Sequence, residues 1–280
     1  MVDAFINNQW HVVGATDELR ALGERRTRLL GTPLRILEGR RVERADGTAL
    51  PVLERFGYLW TTLGDTPADL FAIEEYAEPD RRNFNGASLA VNTSAGRAVE
   101  NFVDFSHFPF VHSGYLGDPT HASVPPYQVA SNANEVIATH CRSYQPRAAA
   151  LSEDALDVEY AYRIPHPFCA LLYKTNPLDT TRHDVIGLFV QPLDEERISA
   201  HMLLSLLDNT TTTAEIRDFQ QTIFGQDKPI LQHQRPLRLP LEPRAELPMR
   251  CDALSLAYRR WLHEHDVTYG VVPIVPSRAR

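Results

Sequence analysis

Residues 156–164, LDVEYAYRI, alternate apolar and polar side chains, so that Leu156, Val158, Tyr160, Tyr162 and Ile164 fall on one face. A period of two fits a strand and no helix. Residues 197–207, RISAHMLLSLL, repeat the pattern with Ile198, Ala200, Met202, Leu204 and Leu206. Two such half-buried strands predict an antiparallel sheet with one face on the core. SLAVNTSA, QVASNANEVIATHCRSY, FCALLYKTN and HDVIGLFVQPL supply further strand-like runs between residues 88 and 193. The first 65 residues read as a small β unit of their own, in which RTRLLGTPLRILE and RFGYLWTTLGD flank an Asp-Gly turn in RADGTA. A polar, proline-punctuated connection follows, so a boundary falls near Asp65 and the main domain covers 66–280.

Two helical stretches interrupt this β pattern. GRAVENFVDFSHF has helical spacing up to Pro109, which is expected to disturb the turn carrying His112. Residues five apart on a regular helix point about 140° away from each other, so a break is needed to bring His107 and His112 to one point. Asp104 and His107, three apart, share a face. The second helix starts at Thr212 and Glu215, which have capping-box spacing, and runs through IRDFQQTIFGQDKPIL. Phe219, Ile223 and Asp227 recur along it every four residues, with Ile230 and Leu231 next, which sets Asp227 on the apolar stripe.

A carboxylate on a buried face is costly unless its charge is compensated, and a histidine pair in an aromatic segment poses the same difficulty. One divalent metal held by His107, His112 and Asp227 resolves both. Two imidazoles and one carboxylate on one side of the ion leave positions for oxygen and substrate, as in non-haem Fe(II) oxygenases. Spacing alone also allows a plain core in which Asp227 meets an arginine, or a zinc hydrolase. Cys141, Cys169 and Cys251 are far apart, with no CxxC or CxH, so they read as buried thiols. The formal net charge of -8 argues against nucleic acid as a partner. No basic start followed by an apolar stretch opens the chain and no run approaches membrane-spanning length, so a cytoplasmic protein without membrane contact is expected.

Glu100, Asn101, Asp104, His107 and His112 spell E-N-x-x-D-x-x-H-x-x-x-x-H. This resembles the catalytic-domain motif of the Rieske-type non-haem iron oxygenases, and QQTIFGQDKPIL resembles the segment that carries their third iron ligand. The resemblance implies an α+β fold, a helix-grip (START/Bet v 1-like) domain whose curved antiparallel sheet wraps a long C-terminal helix over an apolar pocket. It implies His107, His112 and Asp227 as ligands of a mononuclear Fe(II), Asp104 as the carboxylate through which electrons reach the iron, and Asn101 beside the site. Phe105, Phe108, Phe168, Leu171, Leu204 and Phe224 are the pocket-lining candidates.

The N-terminal stretches FINNQWHVVGATDEL, LLGTPLRI and FGYLWTTLGD resemble the ends of a Rieske domain. The C-x-H and C-x-x-H motifs that hold its cluster are missing, and LEGRRVERADGTALPVLER stands in the middle. A vestigial Rieske-like β domain with no [2Fe–2S] cluster is therefore implied. Within the family the chain resembles Rieske-deficient catalytic components of bacterial methylxanthine N7-demethylation. That implies oxygen-dependent oxidation of an N-methyl group with release of formaldehyde. It also implies electrons from a separate Rieske-containing NAD(P)H reductase, a glutathione-transferase-like companion and a homotrimeric core. The motif segments offer no basic residue between Asn101 and Gly117 and only Arg217 and Lys228 on the second helix, which favours a neutral substrate over an aromatic acid. The alternatives are an O-demethylase or ring hydroxylase of another aromatic compound and, in another class, a non-enzymatic carrier of hydrophobic ligands.

Overall fold

Every long strand-like run of the sequence pairs with its neighbour, and together they build a seven-stranded antiparallel sheet. The structure, a computed structural model, describes residues 2–146, 156–176 and 179–274. Across the sheet the strands run Arg82–Val91, Arg197–Leu206, His183–Asp194, Cys169–Thr175, Leu156–His166, Val136–Gln145 and Gln128–Ser131. Three helices pack against one face: Ala95–Val103, Thr213–His233 and Ala253–Glu264. The fold is thus α+β with antiparallel sheets. The capping box opens the long helix as expected, with Thr212 Oγ1 accepting from the Glu215 amide at 3.3 Å and Glu215 Oε2 accepting from the Thr212 amide at 2.9 Å. Among the described residues no helix is long and apolar enough to cross a membrane.

The first 61 residues form two small sheets, one of three strands (His11–Ala15, Val52–Arg55, Tyr58–Thr61) and one of four (Arg25–Leu29, Thr32–Leu37, Arg41–Arg44, Ala49–Leu50). The Arg41–Arg44 and Ala49–Leu50 strands flank the Asp-Gly turn, where Gly47 takes φ 88°. This unit lies on the outer face of the main sheet. Leu30 and Gly31 donate to the carbonyls of Pro192 and Leu193 at 2.8 and 2.9 Å. Val12, Tyr58, Trp60 and Ile73 form one apolar cluster with Leu171, Val185, Phe189 and Leu203.

That docking corrects the expectation of a sheet with one free face. Strand Leu156–His166 keeps the alternation, with Val158, Tyr160, Tyr162 and Ile164 buried. Strand Arg197–Leu206 is buried on both faces from Ile198 to Ser205, because the N-terminal unit covers what would have been its solvent side. The parity of Cys169–Thr175 follows. Cys169, Leu171 and Tyr173 turn outward to the N-terminal unit, and Ala170 and Leu172 turn inward to the helices. Of the three cysteines, Cys141 and Cys169 are buried free thiols and Cys251 is only half-buried.

Leu171→Ala should therefore act on stability alone. Denaturant unfolding is expected to show a loss of about 2–5 kcal/mol, the range for removing a leucine side chain from a packed core. Metal content at the histidine–carboxylate site should stay that of the parent chain.

Candidate metal centre

The helix that carries the first motif residues starts at Ser94, whose hydroxyl accepts from the Arg97 amide at 3.3 Å, and ends at Val103. Asp104 takes an extended conformation (φ -87°, ψ 109°) and is the point of the break. Pro109 is not the breaker. It stands in the first turn of a second, short helix, Phe108–Val111, where a missing amide hydrogen costs nothing. Gly117 then passes so close that a Cβ there would lie 2.4 Å from the Pro109 nitrogen, which fixes the loop returning behind the histidines. Asp104 and His107 meet across this turn rather than along a helix face.

The break brings both rings to one point. His107 Nε2 lies 3.2 Å from His112 Nε2, and Asp227 Oδ1 lies 3.3 and 3.2 Å from them. His107, His112 and Asp227 are the group of possible metal donors found among the described residues. Three ligands on one face of an octahedral ion with bonds of about 2.1 Å would stand about 3.0 Å apart. The triangle fits such an ion with little movement.

Each donor is held by a further contact. His112 Nδ1 lies 2.8 Å from Gln226 Oε1, so Nδ1 carries a proton. His107 Nδ1 faces Asp104 Oδ2 at 3.3 Å, while Asp104 Oδ1 accepts from the Ser106 amide and hydroxyl at 2.8 and 2.6 Å. Asn101 Nδ2 approaches Asp227 Oδ1 at 3.4 Å. Glu100, the first motif residue, lies away from the donors. It binds Arg97 at 3.1 Å and Arg259 at 2.6 Å, and Glu246 closes the network by accepting from both arginines, so the ligand helix is clamped to the last helix.

The electrostatics follow from that geometry. Burial alone would raise the Asp227 carboxyl, but hydrogen bonds from His107 and His112 outweigh it and hold it below the ordinary carboxylate range. Burial likewise pulls His107 down, yet the hydrogen bonds to Asp104 and Asp227 prevail and raise it to about 9. Asp104 is held low by His107 and Ser106 against the opposing effect of burial.

The triad closes one end of a cavity between the sheet and the long helix, lined in part by Phe102, Phe108, Leu116, Leu172, Met202 and Phe224. Phe108 and Phe224 are thus two of the residues expected there. Four others lie elsewhere. Phe105 packs between Tyr127 and Tyr162, Phe168 sits against His11 and His166, and Leu204 packs over Gly86. Leu171 faces the N-terminal unit, one residue out of register with the lining Leu172. Ile230 is exposed rather than on the stripe. Sequence reading missed Gln226, and it missed Gln145, Lys174 and Gln220, which also line the cavity. On its other side Asp104 opens into a separate surface cleft that includes Asn101, Leu247, Pro248 and Leu256.

Residues 91–265 match the family model described as the vanillate O-demethylase oxygenase C-terminal domain. The chain belongs to that family. It is an oxidoreductase component of the Rieske oxygenase type. It is 45% identical to the probable methylxanthine N7-demethylase NdmC of Pseudomonas sp. (strain TJI-51), over 96% of this chain and 97% of that one. It is 26% identical to the methylxanthine N1-demethylase NdmA of Pseudomonas putida, over 75% of this chain and 59% of that one. Among solved structures, Pseudomonas putida CBB5 NdmA with caffeine superposes with a TM-score of 0.75 at 18% identity, covering 99% of this chain and 98% of that chain. Dicamba monooxygenase bound to dicamba gives 0.72 at 15% identity, covering 94% and 98%. At those identities the two structures establish the likeness of fold.

A protonated His107 makes metal uptake proton-linked. Its folded-state value near 9 exceeds the value of about 6.5 in an unfolded chain. In the metal-free protein its contribution to stability is therefore fully present below pH 6.5 and lost as pH rises through 9. An ion at Nε2 must displace that proton, so affinity for a divalent metal should rise about tenfold per pH unit from 7 to 9 and flatten above. Competition with a chromogenic chelator across that range measures the slope. Asp104→Asn, which removes the charge behind Nδ1, should make it shallower.

Proposed function

We propose that the chain is the catalytic component of a methylxanthine N7-demethylase, holding one Fe(II) through His107, His112 and Asp227 and no [2Fe–2S] cluster. The chemistry rests on one observation, a triangle of two imidazoles and a carboxylate with edges of 3.2–3.3 Å at the end of a mainly apolar cavity. The substrate rests on the 45% identity to a relative named for N7-demethylation. When bound, Fe(II) supplies the activation of O2 for insertion of one oxygen into a methyl C–H bond, two electrons and two protons carrying the second oxygen to water. The hydroxymethyl product then loses formaldehyde and leaves an N–H.

The residues of the chain prepare that reaction. Gln226 and Asp104 fix the two imidazoles with their Nδ1 protons turned away from the donor triangle. Phe102, Phe108 and Phe224 offer flat apolar walls to a planar ring and keep water from the triad. Asp104 touches His107 on one side and a surface cleft on the other, a place for electrons to enter from a Rieske centre on another polypeptide. The missing cluster motifs in the first 65 residues support that division of labour. The same reading takes residues 1–65 as the vestigial Rieske-like domain and 66–280 as a helix-grip catalytic domain. It takes the assembly as a cytoplasmic homotrimer that works with the reductase and a glutathione-transferase-like companion.

Protein purified under reducing conditions should contain about one iron per chain and no more than trace acid-labile sulfide. A His107→Ala, Asp227→Ala double variant should lose the iron. With a Rieske-containing reductase, NADH and O2, formaldehyde should appear from 7-methylxanthine in a panel with caffeine, theobromine, vanillate and benzoate. Asp104→Asn should keep most of the iron and lose most of the turnover. Turnover with a flavin reductase lacking a Rieske centre defeats the electron route, and turnover of the carboxylates alone defeats the substrate.

A further inference from the structure

The end of the cavity away from the triad is polar. Gln145, Tyr160 and Lys174 line it from three consecutive strands of the sheet, and Gln220 lines it from the long helix. Gln220 precedes Asp227 by seven residues, about 10 Å along a helix. A run of side chains connects the two regions: the Phe108 ring lies 5.7 Å from that of His112 and 6.5 Å from that of Tyr160, and Lys174 is the cross-strand partner of Tyr160.

Two oxygens in this region are buried without a hydrogen-bond partner among the described residues, Gln145 Oε1 and the Tyr160 hydroxyl. Buried oxygens of that kind are rare in folded proteins unless something else satisfies them. Lys174 faces Asp184 on the next strand, whose oxygens accept from the Leu207 amide at 2.8 Å and from Asn176 Nδ2 at 3.1 Å. Burial brings the Lys174 ammonium down to about 8 against the opposing charge of Asp184. The basic residue that the motif segments lack thus enters the cavity from a strand.

We propose that Gln145, Tyr160, Lys174 and Gln220 grip the unmethylated N1–C2–N3 edge of a xanthine, and that this grip aims the N7-methyl group at the triad. The proposal rests on the reading of the chain as a methylxanthine demethylase. The six-membered ring of a 7-methylxanthine presents one carbonyl oxygen, at C2, and two N–H groups, at N1 and N3, on the side remote from N7, while the C6 carbonyl stands beside N7. The C2 carbonyl needs donors, which Lys174 and the glutamine amides provide, and the N–H groups need acceptors, which Gln145 Oε1 and the Tyr160 oxygen provide. A methyl group on either ring nitrogen removes a donor and sets carbon against a buried oxygen. Sites built to hydrogen-bond a group reject the analogue that lacks it far more strongly than apolar pockets reject a methylene. The polar end is therefore a specificity determinant for the ring that carries no other methyl group.

Anaerobic calorimetry on the Fe(II)-loaded chain without reductase reads binding apart from turnover. The parent chain should bind 7-methylxanthine more tightly than caffeine. Gln145→Leu should weaken 7-methylxanthine by about ten- to a hundredfold, the equivalent of one buried hydrogen bond, and caffeine by less than about threefold, while Lys174→Met, which removes a donor to a carbonyl that both xanthines carry, should weaken both. Lys174→Arg should keep the preference. Iron content reports whether each variant retains its cavity, and Gln220→Leu on the half-buried helix position carries the test if a strand variant does not fold. Equal weakening of both xanthines by Gln145→Leu, or none, overturns the subsite and leaves the demethylase reading standing. Binding of vanillate or benzoate with neither xanthine bound overturns both, and assigns Lys174 to a carboxylate.

Discussion

The structure turns on one unfavourable placement, the carboxylate of Asp227 on the buried stripe of the long helix. Alone it would shed its charge. Two histidine nitrogens at 3.2–3.3 Å make the charged form the stable one, and they do so only because the backbone breaks at Asp104. The break costs one turn of helix, and what precedes it must be held firmly. Arg97, Glu100, Glu246 and Arg259 do that, since each arginine binds both glutamates. Removing one member would strand a buried charge, a loss of about 3–5 kcal/mol. Glu100 therefore belongs in the motif for mechanical reasons, on the helix that leads into the donors it helps to place.

The sheet supplies the second half of the frame. Its inner face carries the cavity and its outer face carries the N-terminal unit, so the strands between are buried on both sides. A small β unit that held no cofactor would still be retained for this reason. Trp60, Tyr58 and Val12 cover Phe189 and Leu171, and without them an apolar sheet face would stand in water. Covering the sheet and delivering electrons are separable tasks, and a chain can keep the first while another polypeptide performs the second.

Where sequence reading succeeded and where it slipped have the same physical origin. The strand alternation, the capping box and the metal-type donors are local or periodic signals, and the structure carries all three. The position of the helix break is decided by Asp104 capping the Ser106 amide, a contact that competes with the helix and outranks the nearby proline as a signal. In Cys169–Thr175 both faces are apolar, so periodicity could not say that Leu172 faces in and Leu171 out. Phe105, Phe168 and Leu204 went to the core because aromatic and leucine content marks burial without marking a cavity. Gln226 and Lys174 came from long-range packing. Lys174 left one trace, a lysine near the end of the mainly apolar run CALLYKT.

Charge accounting links the two ends of the cavity. A divalent ion with two neutral imidazoles and one carboxylate carries one net positive charge, and Asp104 behind His107 balances it from outside the pocket. At the far end Lys174 is balanced by Asp184, again from the flank. Each end is thus near neutral when seen from the middle, where Phe102, Phe108, Leu172, Met202 and Phe224 present hydrocarbon. A flat neutral ring meets no field to expel it and finds donors and acceptors only at its rim. On the proposed reading the arrangement would orient by hydrogen bonds rather than by charge, which is what distinguishing one methyl-bearing edge of a small heterocycle from another requires.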